Sequence, residues 1–109
     1  MILRAWRGYA SPSNAEAYPR HVLDQVRLQL EGLAGLRGLY LLRRLADVEV
    51  EYQVLTLWDS MDAIRAFAGP ALERAVVEPE ARAVLVRFDS EVRHYEVLAE
   101  PAAQGDARG

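Results

Sequence analysis

Few side chains in this chain could carry chemistry, and its two histidines, His21 and His94, come first among them. His94 alternates with Val92 and Glu96 in a strand-like run. A ring held there by a neighbouring carboxylate is a tuned general base for a phenolic proton, while the blander role is a partly buried structural side chain. His21 lies beside the apolar stripe of a predicted helix, where it would sit at the mouth of a cleft. Trp58, Tyr52, Trp6 and Phe67 are the aromatic residues that would line such a cleft around a flat ligand. For Trp58 a core anchor beneath a short helix is the simpler reading. Tyr40, Tyr52 and Tyr95 are bulky strand residues first, and a lone phenol among them could orient a substrate.

Other chemistries are excluded by what is missing. All 13 basic residues are Arg, so no Lys is present to form a Schiff base or act as an amine nucleophile. There are no cysteines, which removes disulfides, thiolate metal sites and thiol nucleophiles. The two histidines stand far apart without metal-ligand spacing, so no metal is expected. The serines have no nucleophile elbow around them. Gly32, Gly35 and Gly38 read as cap, turn and close packing rather than a phosphate cradle. Arg43 and Arg44 with Glu49 and Glu51 read as cross-strand or interface ion pairs before they read as an anion site. A net charge of −3 argues against nucleic acid, which demands a basic face. No apolar run is long enough to cross a membrane and no signal peptide is apparent, so the expectation is a cytoplasmic protein.

The elements that must position these residues follow from periodicity. Ile2 to Tyr9 predicts a strand, and Ser13 followed by Glu16 fits a capping box for the first helix. Ala15, Tyr18, Val22, Val26, Leu30 and Leu33 form the apolar stripe of that helix. Pro19 lies inside the stripe, so the helix either begins near it after a loose turn or kinks there. Leu36 to Leu45 and Val48 to Trp58 predict a hairpin turning at Ala46-Asp47, with Leu41 opposite Tyr52 and Arg44 opposite Glu49. Asp59 or Ser60 caps a short helix carrying Ile64 and Phe67 inward and stopped by Gly69-Pro70. Residues 71–88 predict further helical turns, and Glu91 to Leu98 a fourth strand. The order implies one α+β domain over residues 1–99, a ferredoxin-like four-stranded antiparallel sheet with helices on one face, followed by a disordered tail over 100–109. Tyr40, Leu42, Leu55 and Leu57 would lie on the other face. That is too much apolar surface to leave in water, and a second copy of the sheet is its natural cover.

Leu57-Trp58-Asp59-Ser60-Met61-Asp62-Ala63-Ile64-Arg65-Ala66-Phe67-Ala68-Gly69, with Val92-Arg93-His94-Tyr95-Glu96-Val97 near the end, resembles the antibiotic biosynthesis monooxygenase family of dimeric α+β barrels. The resemblance extends from Ile2 to Leu98. It implies a homodimer and one of two activities: oxygenation of phenols, anthrones or quinols without metal or flavin, or degradation of haem. Members of both kinds carry an Asn on the first strand and a Trp on the second helix, and the haem degraders add a histidine further on. Here the only Asn is Asn14, Phe67 stands at the helix position, and Val77 stands where the histidine would be. The implied function is therefore a monooxygenase of a small aromatic or quinol compound that needs no cofactor, with His94 as its base. The alternative is a non-catalytic homodimer that binds a small ligand or acts as a scaffold.

Overall fold

A computed structural model describes residues 1–100; the predicted disordered tail lies, apart from Glu100, outside the described residues. Strand β1 (Ile2–Ala10) leads through a 3-10 turn (Pro12–Asn14) to helix α1 (Ala17–His21), a π-helical segment (Val22–Val26) and helix α2 (Arg27–Leu30). Strands β2 (Leu36–Ala46) and β3 (Glu49–Trp58), helices α3 (Met61–Ala68) and α4 (Pro79–Val84), and strands β4 (Arg87–Phe88) and β5 (Arg93–Glu96) complete it. The sheet runs β2-β3-β1-β4, with β5 also paired to β1, all antiparallel. This is the ferredoxin-like order, with the helices on one face.

Four details differ from the sequence reading, each for a physical reason. The edge strand is split: β4 pairs Gly8 and Tyr9, β5 pairs Ile2 to Ala5, and the residues between turn instead to the segment after α3. There Ala75 donates its N–H to Ser90 O at 2.9 Å and Val92 donates to Glu73 O at 2.7 Å. The helical turns expected over 71–88 shrink to α4, started by Pro79, because Arg87 and Phe88 join the sheet. The capping box at Ser13 does not form; Ser11 precedes the 3-10 turn, and Pro19 falls in the first turn of α1, where its missing N–H has no acceptor to lose. The hairpin turns at Asp47-Val48, with Asp47 at φ 61°, so Leu41 faces Val54 and Arg44 faces Glu51. The slip is two residues, which returns every side chain to the face expected for it.

The π segment answers to the sequence. Tyr18, Val22, Val26 and Leu30 recur every four residues, and an α-helix turning about 100° per residue lets such a row drift by about 40° per step. One wider turn brings the row back over the sheet, and Tyr18, Val22 and Leu30 are buried there. At the far end, Ser60 Oγ accepts from Ala63 N–H at 3.2 Å and Gly69 closes α3 with φ 83°. Gly35 (φ +84°) lets the chain pass so close to α3 that a Cβ there would meet the Ala63 Cβ at 2.5 Å. Gly35→Ala therefore suffers both a left-handed backbone and a clash, and is expected to lower stability by about 1–3 kcal/mol in thermal denaturation.

Candidate functional site

The inner face of the sheet is set by alternation: Arg4, Trp6 and Gly8 on β1 stand opposite Thr56, Val54 and Tyr52 on β3. Between this face and the helices lies a half-open cleft with a cavity volume of about 120 Å³. Its walls are apolar: Trp6, Tyr18, Val54, Phe67, Val77 and Ala81 carry most of them. Five polar side chains also reach it from separate elements, namely Arg4 (β1), His21 (α1), Gln29 (α2), Thr56 (β3) and Glu78 (the residue before α4).

His21 and Glu78 meet at its wall. His21 Nε2 lies 3.2 Å from Glu78 Oε1, and the His21 side chain is only 6% exposed. The two atoms are close but misaligned, so both are buried without a hydrogen bond. A lone pair on Nε2 facing a carboxylate oxygen at that distance is repulsive, and a proton delivered between the two relieves that repulsion. Buried polar atoms are almost always satisfied, and an unsatisfied pair facing an apolar cleft is available to a bound hydroxyl. His21 ends α1, immediately before the π segment. Tyr18, beside it, has its hydroxyl pKa raised well above the ordinary range by burial and then by Glu78, so it stays neutral.

Arg4 is only 5% exposed. Its Nη1 donates to Leu72 O at 2.8 Å and contacts His94 Nε2 at 2.9 Å, and its Nη2 donates to Arg74 O at 3.2 Å. Since a guanidinium can only donate, His94 Nε2 is the acceptor and carries no proton. Burial, followed by the Arg4 charge, holds the His94 pKa below its usual 6.5, with Glu73 opposing. A depressed value in the folded chain means that the unfolded chain binds the proton first as pH falls. Stability is therefore full above about pH 6.5 and declines below it until the folded His94 titrates. The expected result is a melting temperature that drops across that window, with the slope removed in His94→Gln, whose side-chain oxygen still accepts from Arg4.

The aromatic candidates separate into two groups. Trp6, Phe67 and His21 line the cleft. Trp6 does so with its indole N–H donated to Asp89 O at 2.7 Å. Tyr52 and Trp58 are not lining residues, because both are completely buried. The Tyr52 hydroxyl donates to Ala15 O, and the Trp58 indole donates to Thr56 Oγ1 at 2.8 Å while its ring stacks on Phe67 at 5.4 Å. His94 is set behind Arg4 and outside the cleft lining with its Nε2 already engaged, whereas His21 lines the cleft. Arg4 and Glu78 were missed by sequence reasoning. Arg4 was legible by alternation with Trp6, whereas nothing local ties Glu78 to a histidine 57 positions earlier. Among the described residues no cluster of three or more His, Asp or Glu is placed to hold a metal ion. No described helix is long and apolar enough to cross a membrane.

No family model and no curated protein matches the chain. Solved structures do. The haem degrader MhuD of Mycobacterium tuberculosis, with two haems bound in its active site, is similar at a TM-score of 0.61 and 23% identity, over 94% of this chain and 100% of that one. A mutant of MhuD with two manganese protoporphyrin IX bound per active site gives 0.62 at 23% identity, over the same shares of the two chains. An antibiotic biosynthesis monooxygenase-type protein from Bacillus cereus gives 0.61 at 14% identity, over 96% of this chain and 98% of that one. With the split-edge antiparallel sheet, the helices on one face and the cleft between them, these likenesses identify the chain as having the antibiotic biosynthesis monooxygenase fold.

Proposed function

We propose that the protein is a cofactor-independent monooxygenase of a small aromatic or quinol compound, with the His21–Glu78 pair as its proton acceptor. The observation that carries this reading is the pair itself: a buried imidazole and a half-buried carboxylate whose Oε1 is buried, close but without a hydrogen bond, at the wall of an apolar cleft. A cavity of roughly 150 Å³ accommodates benzene, so a cleft volume of about 120 Å³ accepts one ring.

In the chemistry proposed, the phenolic O–H proton passes to the pair, leaving imidazolium beside carboxylate and an electron-rich phenolate. An unsubstituted para (or ortho) ring carbon then forms a bond to molecular oxygen, and two ring electrons reduce the O–O unit to a hydroperoxide. Breaking the O–O bond and losing the ring proton releases water and leaves a quinone carbonyl. One oxygen atom enters the product and the other leaves as water, so the substrate is the sole reductant. The apolar walls favour this by weakening the solvation of the anion and keeping bulk water away.

Haem does not fit the site. His21 Nε2 faces Glu78, His94 Nε2 is held by Arg4, and Val77 lines the wall where a haem ligand would be needed, so neither histidine is free to ligate iron.

We further propose a homodimer formed through the open face of the sheet. Leu3, Ala5, Leu55, Leu57, Tyr40 and Tyr95 adjoin there across paired strands, with Tyr40 54% and Tyr95 50% exposed. An apolar patch that runs across four paired strands is an interface signature. Light scattering should give twice the protomer mass, and a monomer at micromolar concentration would reject the dimer. For the activity, the test is an oxygen-electrode screen of quinols, catechols and anthrones with chelator present. Uptake on any of them supports the reading; binding without uptake across the set favours a ligand-binding role.

A further inference from the structure

Deepening the reading of the cleft as a ligand site, and resting on it, we infer that the cleft selects ring compounds bearing an ionised acid group and that Arg4 is the residue that recognises that group. Three observations converge on Arg4. It lines the cleft while only 5% exposed, so its charge is shielded from bulk water. Every hydrogen-bond partner it has among the described residues is neutral: the carbonyls of Leu72 and Arg74, and the His94 ring nitrogen. No described carboxylate reaches ion-pairing distance, and Glu73 acts on it only from further off.

A guanidinium has five N–H donors in a fixed fork. Both Nη1 donors and one Nη2 donor are used, which leaves the Nε donor and one Nη2 donor without a protein acceptor among the described residues. Two donors on adjacent nitrogens of one guanidinium match the two oxygens of a carboxylate. A buried cation with neutral partners is destabilising, and an anionic ligand removes that cost by bringing the missing charge. The three occupied donors fix the plane of the guanidinium, so the site is rigid before ligand arrives. Phe67, whose ring centroid lies 5.8 Å from the Arg4 Cζ, gives the cation a second wall. A hydroxyaryl carboxylate meets both ends of the site, its acid on Arg4 and its hydroxyl on His21–Glu78.

The test is isothermal calorimetry of the full chain with 4-hydroxybenzoate and with its neutral isostere 4-hydroxybenzamide. The expected result is an acid bound roughly 10- to 100-fold more tightly than the amide, the range for a hydrogen-bonded charge. Arg4→Gln, checked for folding by circular dichroism, should bring the two affinities together. Equal affinities on the wild type overturn the inference and leave the ligand cleft standing. An acid preference that persists in folded Arg4→Gln also overturns it. Failure of both compounds to bind at millimolar concentration overturns the cleft reading itself. Should Arg4→Gln not fold, the wild-type pair alone decides, since a structural role for Arg4 gives no preference for acid over amide.

Discussion

His21→Asn should abolish most turnover, lowering oxygen uptake by roughly 100- to 10,000-fold, the usual contribution of a positioned general base. Asparagine keeps a polar group near Glu78 at similar size but cannot hold a proton. Burial at this position is high and the ring has no hydrogen bond to lose, so the fold should tolerate the change. Glu78→Gln should lower uptake in the same direction, because it withdraws the charge that stabilises the imidazolium. Since the two residues act as a unit, the double variant should be scarcely slower than His21→Asn alone. Stopped-flow oxygen uptake and calorimetric affinity for a common ligand separate these effects. If His21→Asn weakened binding and left the rate at saturation unchanged, the ring would be a wall of the cleft and not its base.

The second large effect is on stability. Trp58→Ala should cost about 3–5 kcal/mol, as expected for truncating a fully buried tryptophan. The loss combines three changes: a cavity under α3, loss of the stacked Phe67 partner, and a Thr56 hydroxyl left without its donor. For a domain of this size the melting temperature should fall by more than about 10 °C. Trp58→Phe keeps the ring and loses only the N–H, and should cost about 1–2 kcal/mol. Denaturant melts of the two variants measure the difference. Near-equal stabilities would mean that the indole N–H, and not the ring, secures this corner.

How much of this was legible beforehand depends on whether the cause was local. Trp58, Ser60, Ile64, Phe67 and Gly69 specify a strand end, cap, helix and stop through short-range rules, and the structure follows them. The hairpin slipped by two because Ala46-Asp47 is a weak turn, while Asp47 tolerates the left-handed conformation that the real turn requires. The pleat has a period of two, so even the wrong register returned the right faces. The break in the edge strand was not legible, because it depends on the segment after α3 competing for the backbone of residues 89–92. The candidate base is the clearest case. His94 satisfied strand alternation, yet its partner proved to be the cation Arg4 and not a carboxylate. His21 looked peripheral on a helical stripe, until the π segment and the start of α4 brought it to Glu78.

The central claim is oxygenation in this cleft with the substrate as sole reductant. The most direct measurement is mass spectrometry of the product formed under isotopically labelled oxygen gas by chelator-treated protein. One labelled atom is expected in the quinone carbonyl and the other in water, with product formation lost in His21→Asn. Label absent from the product, or turnover that appears only on adding a metal or a flavin, would contradict it.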